Sequence, residues 1–285
     1  MSVCRLAREI SFMPEGPEIR LAADKVARVL EGEQIVDAKF GLPRLEGREA
    51  DFIGAKVNAL ETRGKALLTH FDNGLTIYSH NQLYGRWYVV KRAAHPKTNR
   101  SLRLALHTQT HSALLYSASD ISIWDQFELD MHPFLARIGP DILNPELTWH
   151  DISVRLHSQK FRRRSVASLY LAQDFLAGIG NYLRSEILFD ACVHPAARPS
   201  DLSRKLLNSL GRSTLKISLR SYETAGLTNP PRRVAALKKQ GLRRGEYRHA
   251  VFGRANKPCY GCGTSIQKDS FAGRRLYWCQ ICQAS

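Results

Sequence analysis

A helical period is the first regular pattern in the chain. Ile19, Ala22, Ala23, Val26 and Leu30 recur at i, i+3, i+4 spacing. Pro17 suits the first turn of that helix, where a missing N–H leaves nothing unpaired. A helix over residues 17–30 is predicted, ended by Gly32. From Gln34 to about Ala118 the period falls to two. Leu102, Leu104 and Leu106 alternate with polar neighbours, and Asp72-Asn73-Gly74 lies between two short apolar runs as a hairpin turn. Several short strands at this spacing predict a β-sandwich or barrel. Beyond Pro140 the helical period returns, over residues 154–156, 166–176, 182–189 and 202–219. Ala177-Gly178-Ile179-Gly180-Asn181 is a tight turn opening a new helix, with Asn181 suited to the N-cap. Residues 228–248, rich in Pro, Gly and basic groups, read as a linker. No internal repeat is evident.

Composition narrows the class. The 285 residues suffice for two domains and a small appended module. Hydrophobic residues make up 44%, enough for a buried core. No apolar run approaches the roughly 20 residues of a membrane helix. Residues 1–12 lack the continuous apolar stretch of a secretory signal, so a soluble cytoplasmic protein is expected. Lys and Arg number 42 against 26 Asp and Glu, a formal charge of +16, with a pI near 9.9. That balance favours a polyanionic partner, most often nucleic acid. Basic residues cluster at Lys160–Arg164, Arg232–Arg233, Lys238–Lys239 and Arg243–Arg244, as phosphate contacts require.

Four of the six cysteines form Cys259-x2-Cys262 and, sixteen residues later, Cys279-x2-Cys282. Two such knuckles can place four thiolates tetrahedrally around one structural Zn²⁺, with no open coordination position. Lys268, Arg274 and Arg275 lie between them, on what would be a small hairpin. Cys4 reads as an unremarkable terminal thiol and Cys192 as a buried small hydrophobe. Gly178-Ile179-Gly180-Asn181 at a helix start offers free N–H groups and the positive helix end to an anion; alone it is equally an ordinary turn. Thr62-Arg63-Gly64-Lys65 falls between two predicted strands, where a lysine is ordinarily exposed and idle. Asn81-Gln82-Leu83-Tyr84-Gly85 could wedge into a base stack, or simply place Leu83 in the core.

Taken in order, these residues resemble one family, the formamidopyrimidine-DNA glycosylase and endonuclease VIII family. The likeness runs from Met-Pro-Glu-Gly-Pro-Glu at Met13 through Glu61-Thr-Arg-Gly-Lys65-Ala-Leu-Leu and Asn81-Gln-Leu-Tyr-Gly85. It continues through Pro133-Phe-Leu-Ala-Arg137-Ile-Gly-Pro-Asp and Leu176-Ala-Gly-Ile-Gly-Asn181-Tyr-Leu-Arg to the cysteine knuckles. Gln82-Leu83-Tyr84 and Asn181-Tyr182-Leu183-Arg184 are similar to the endonuclease VIII branch. The resemblance implies an α+β multidomain fold: an N-terminal catalytic β-sandwich (14–137), a helix–two-turn–helix DNA-binding domain (138–230), a basic linker (231–248) and a zinc-ribbon finger (249–285).

The resemblance also implies roles. Pro14 would be the amine nucleophile at C1′, and Glu15 an acid or base at the sugar. Glu18 would support that site. Lys65 would act in strand cleavage and touch phosphate. Asn181 and Arg274 would hold the phosphate flanking the lesion, Arg274 also serving the second elimination. Arg137 and Gln82 would contact DNA, while Gln82, Leu83 and Tyr84 fill the space of an extruded base. The implied partner is double-stranded DNA with a damaged base or abasic site, bound by a monomer with no membrane involvement. The implied activity is excision of oxidised pyrimidines followed by β,δ-elimination. Two alternatives stand beside it: the oxidised-purine branch of the family, and a damage-binding protein without catalysis. The chain departs from the pattern at Leu171-Ala172-Gln173-Asp174, with Ala172 where the family often has Asp and Asp174 as a candidate substitute. It also carries residues 1–13 ahead of Pro14. An amide nitrogen cannot be this nucleophile, so residues 1–13 are expected to be a non-native extension and Met13 the true start.

Overall fold

The computed structural model describes residues 14–284. The expected extension, the Met13 start and Cys4 lie outside the described residues. The chain forms two compact units: Pro14, Asp24–Glu61 and Ala66–Gln126 belong to the first, and Glu15–Ala23, Thr62–Lys65 and Phe127 onward to the second. The first long helix, α1 (Gly16–Leu30), runs from one unit into the other. Acidic Glu18 lies in its first turn and Arg28 in its last, each favourable at its end of the helix dipole. Gly32, at φ 79°, turns the chain out of it.

In the first unit, β1 (Asp37–Phe40), β5 (Arg86–Lys91), β6 (Leu102–His107) and β7 (His111–Tyr116) form one sheet in the order β1-β6-β7-β5. A second sheet runs β2-β3-β4-β8, from β2 (Val57–Arg63), β3 (Ala66–Phe71), β4 (Leu75–His80) and β8 (Asp120–Asp125). Leu104, Ala113 and Leu115 from the first sheet share one buried cluster with Val57, Phe71, Ile77 and Ile121 from the second, so the unit is a sandwich. The predicted turn joins β3 to β4: Gly74 adopts φ 82°, and the Asn73 side chain accepts the Leu75 N–H at 3.1 Å. Phe52, fully buried, stacks between Phe40 and Phe71 with ring centroids 5.7 and 4.8 Å away.

The second unit is helical and ends in a hairpin. Its elements are α2 (Trp149–His157), α3 (Val166–Leu169), α4 (Asn181–Asp190), α5 (Arg204–Glu223), α6 (Pro231–Lys239), α7 (Arg244–Tyr247), β9 (Gln267–Phe271) and β10 (Arg274–Trp278). Thr148 and Asp151 cap α2 reciprocally. The fold class is therefore α+β as expected, with β-sheets first, then helices, then a four-cysteine segment.

Three local differences have physical causes. The helix expected over 166–176 stops at Leu169, and turns carry the chain from 170 to 180. The Arg155 guanidinium takes up the Asp174 and Phe175 carbonyls at 2.6 and 2.7 Å, which a continuing helix would have needed for itself. Residues 231–239 and 244–247 are helical although their composition resembles a linker. Pro231 sits at the first helical positions, and Val234 and Leu237 pack on Tyr247. Cys192 is exposed, not buried, because it adopts φ 56° directly after the α4 C-cap.

Replacing Phe52 by Ala removes the ring at the centre of the Phe40–Phe71 stack. The expected loss is about 3–5 kcal/mol in equilibrium chemical denaturation, far above that of a surface change.

Candidate active site

Helix α4 begins with no side-chain cap of its own. Its free N–H groups are satisfied by Glu15, from the start of α1. Glu15 Oε2 accepts from Gly180 N–H at 2.7 Å and Leu183 N–H at 3.2 Å, and Oε1 accepts from Tyr182 N–H at 2.8 Å. The N-cap position is Gly180, not the expected Asn181, which is the first helical residue. The reason is space: a Cβ on Gly180 would fall 2.5 Å from Glu15 Cδ. The Asn181 Oδ1 is buried without a hydrogen-bond partner among the described residues.

The turn ahead of α4 is braced from both sides. Gly178 adopts φ 101°, and its carbonyl accepts from Gly16 N–H at 2.8 Å. Lys65 Nζ donates to the Ile179 carbonyl at 2.6 Å, and so does Gln173 Nε2 at 2.9 Å. Gly64, at φ 64°, donates its N–H to Asp141 at 2.6 Å and so fixes the turn that delivers Lys65. Lys65 is partly buried just ahead of β3 and holds a hydrogen bond, against the ordinary expectation of an exposed and idle lysine. Burial pushes its ammonium below the usual lysine range; Arg274 acts in the same direction, while Glu15 and Glu18 oppose it.

Glu15 is buried, and burial pushes its carboxyl up. Lys65 pulls it down, Glu18 pushes it up again, and the Tyr182 and Leu183 N–H groups pull it down; it lies at about 7. Glu18 is partly buried, and burial raises its carboxyl against the lowering effect of Arg248. Glu18 Oε2 accepts the Glu15 N–H at 3.1 Å and the Tyr182 hydroxyl at 3.0 Å. A carboxyl held near neutrality beside a lysine pushed below its usual range can give and take protons at physiological pH.

Glu15, Glu18, Lys65 and Asn181 are therefore gathered in one unit. Arg274, the exposed first residue of β10, is electrostatically linked to Lys65. Pro14 is half-buried and precedes Glu15 directly. Arg137 is exposed, its Nε donating to Pro133 O at 2.7 Å, and it lines a cavity of about 640 Å³ with Lys160, Gln173 and Asp174. Gln82, Leu83 and Tyr84 belong to the other unit. Leu83 is 37% and Tyr84 59% exposed, so Leu83 is not a core residue. Gln82 holds φ 53° and its Oε1 accepts from Ser119 Oγ at 2.8 Å. Ala172 lies partly buried against the helical core, and Asp174 pairs with Lys160 at 3.2 Å.

Sequence reading missed several residues. Gln173 braces the glycine turn. Arg184, fully buried in α4, donates to the carbonyls of Ala167, Phe271, Arg274 and Arg275 at 2.9–3.3 Å. It thereby holds the β9–β10 hairpin, and burial lowers its guanidinium to about 10. An arginine on a helix otherwise bound for the core was the signal.

At the C-terminus the sulfurs of Cys259, Cys262, Cys279 and Cys282 all lie within 4.8 Å of one another. Cys259 and Cys282 stand 3.8 Å apart, and Cys262 and Cys279 3.4 Å. A tetrahedral ion with sulfur bonds of about 2.3 Å needs edges of about 3.8 Å, so the four residues fit a metal. Gly261 and Cys282 N–H groups point at Cys259 and Cys279 sulfur, at 3.3 and 3.5 Å.

Residues 13–119 match the formamidopyrimidine-DNA glycosylase N-terminal domain. The chain is 45% identical to endonuclease 8 of Enterobacter sp. (strain 638) and 46% identical to that of Escherichia coli O17:K52:H18 (strain UMN026 / ExPEC). Each alignment spans 271 residues, 95% of this chain and all of the relative. Lactococcus lactis Fpg superposes with a TM-score of 0.78 at 21% identity in a complex with N7-benzyl-Fapy-dG DNA. It superposes with 0.77 at 20% bound to DNA containing an abasic site. Both cover 95% of this chain and all of that protein. With 45–46% identity over 95% of its length, the chain belongs to the formamidopyrimidine-DNA glycosylase and endonuclease VIII family.

Proposed function

We propose that this protein is a DNA glycosylase and abasic-site lyase of base excision repair, acting on oxidised pyrimidines in double-stranded DNA. One observation carries the reading: directly after Pro14, a buried carboxyl held at about 7 caps the glycine turn that also receives Lys65. The full-length likeness to endonuclease 8 proteins supports it.

In this reading the Pro14 amine attacks C1′ of the damaged nucleoside. A terminal amine titrates near 8, closer to neutrality than lysine, so more of it is unprotonated. The base leaves C1′ as the nitrogen bonds there and takes up the proton the amine loses; Glu15 then protonates O4′ as the C1′–O4′ bond opens, leaving an iminium at C1′. Lys65 takes up a proton in strand cleavage. Asn181 and Arg274 hold the flanking phosphate, Arg274 also serving the second elimination. Arg137 contacts the backbone. Gln82, Leu83 and Tyr84 fill the space of the extruded base. Residues 14–137 form the catalytic domain, 138–230 the DNA-binding domain, 231–248 a basic connection and 249–285 the finger. The four cysteines hold Zn²⁺, whose contribution is structural: it fixes the β9–β10 hairpin and with it Arg274. Because the nucleophile must be a free amine, the active form has Pro14 as its first residue, translation starting at Met13 and Met13 then being removed.

Chain beginning at Pro14, incubated with abasic-site DNA and borohydride, is expected to give a covalent adduct. Release of thymine glycol should exceed that of 8-oxoguanine. No adduct where DNA binds would leave a binding protein; a preference for the purine lesion would move the assignment to the other branch.

Glu15→Gln should slow excision by about 10²-fold or more while still allowing adducts at a preformed abasic site. As a proton donor, Glu15 loses its proton as pH rises through about 7, so parental single-turnover excision should fall above that pH. The fall should be absent from the residual rate of the variant.

Elemental analysis should find one zinc per chain. Removing it with a chelator is expected to abolish tight DNA binding while leaving the melting of the β-sandwich unchanged.

A further inference from the structure

Glu18 has one strong partner that neither the motifs nor the proposed chemistry use. Arg248 Nη2 donates to Glu18 Oε1 at 2.9 Å, with both side chains about a quarter exposed. The guanidinium is not free to wander. Its Nε donates to Gly226 O at 2.8 Å, and its carbon lies 5.7 Å from the Tyr182 ring centroid. The Arg248 carbonyl accepts from Thr228 N–H at 2.9 Å. Gly226 holds φ 103°, and a Cβ there would fall 2.4 Å from Arg248 Nη2. The chain has thus been shaped around this side chain.

Glu18 is the link from Arg248 to the reaction centre. Its second oxygen accepts the Glu15 N–H at 3.1 Å. That N–H belongs to the peptide joining Pro14 to Glu15. A partly buried carboxylate without a cation would take a proton or turn toward water. The first change would weaken the hydrogen bond from the Glu15 N–H and the second would break it, and each would loosen the peptide that carries the nucleophile.

We propose that Arg248 is a positioning residue for the catalytic amino terminus: it holds the Glu18 carboxylate, which holds the Pro14–Glu15 peptide. The proposal rests on the glycosylase reading above. The ionisable groups facing Glu18 are Glu15 from the chain start, Tyr182 from α4 and Arg248, with Lys65 acting on Glu15 from the β2–β3 turn. Buried His249 packs against the Tyr182 ring, with centroids 5.1 Å apart, and is held neutral by burial, with Arg248 and Arg244 acting in the same direction. Arg248 acts on Glu15 only through Glu18, which gives a distinctive signature. Without the guanidinium the Glu18 carboxyl is pushed further up, its negative charge beside Glu15 is weakened, and Glu15 titrates lower.

The test uses chain beginning at Pro14. Arg248→Gln is expected to slow single-turnover excision of thymine glycol by about 10- to 100-fold. Affinity for a duplex carrying an uncleavable tetrahydrofuran site should stay at the parental value. The inflection near pH 7 should move to lower pH, as it should in Glu18→Gln. Arg248→Lys, which keeps the charge, should keep the parental inflection. The double variant should be no slower than Glu18→Gln alone. If Arg248→Gln does not fold, Gly226→Ala, which displaces the guanidinium, carries the same prediction. An unmoved inflection, losses that multiply in the double variant, or a defect confined to DNA affinity would each overturn the proposal. Failure of the parental chain to form a borohydride adduct would instead remove the glycosylase reading beneath it.

Discussion

Glu15 in the amino end of α4 is the contact on which the site is built. A helix start leaves N–H groups unpaired, and here no local side chain accepts them. A carboxylate from a residue 165 positions earlier does so. That arrangement demands no Cβ at Gly180, because the carboxyl occupies its place. It also demands that the glycine turn and the chain start be tied together, which the Gly16 to Gly178 hydrogen bond achieves. The helix end favours the charged carboxylate and burial disfavours it. Burial is the larger effect, and the carboxyl comes to rest near neutrality. One hydrogen-bonded cap therefore serves both packing and proton transfer.

The next turn of α4 is as unusual as its start. Arg184, Ser185 and Glu186 are all fully buried on a helix that enters the core. Each meets backbone from elsewhere in its unit, with only Arg184 Nε left without a hydrogen-bond partner among the described residues. Arg184 takes the hairpin carbonyls, and Ser185 Oγ accepts the Tyr277 N–H at 3.2 Å. Glu186 accepts the N–H groups of Ala250, Val251 and Phe252, each at 2.8 Å. A buried charge is tolerated only when its hydrogen bonds are made. In making them, α4 fixes the hairpin bearing Arg274 relative to Glu15. Positioning is thus done by backbone carbonyls and amides, which leave little freedom, and not by flexible surface side chains.

This division of labour decides what could be read from the chain. The apolar periods gave the two-sheet sandwich, α1, α2, α4 and α5, because those elements bury one face and obey a simple spacing. Cysteine spacing foretold the four-sulfur cluster for the same reason. Lys65 and Glu15 were nameable by resemblance, but their burial was not, since it depends on the glycine turn folding over them. Asn181 was assigned the cap by local propensity; a distant carboxylate displaced it. The short α6 looked like a linker because its charges outnumber the two apolar residues, Val234 and Leu237, that hold it down. Gln173 and Arg248 were invisible, because what defines them is the carbonyl or carboxylate they meet.

The clustered cations and anions then have separable tasks. Exposed lysines and arginines supply the +16 charge that suits a polyanion. Glu15, buried, and Lys65, partly buried, act on each other's ionisation. Burial pushes the carboxyl up and the ammonium down, so the ion pair and its neutral form are brought closer in free energy. On the proposed chemistry this matters, because excision needs a proton delivered and strand cleavage needs one removed within a single bound complex. A solvent-exposed pair would be locked as ions, able to attract phosphate but unable to alternate between acid and base. On the proposed chemistry the glycine turn that covers Glu15 and receives Lys65 is therefore as necessary as the groups it holds.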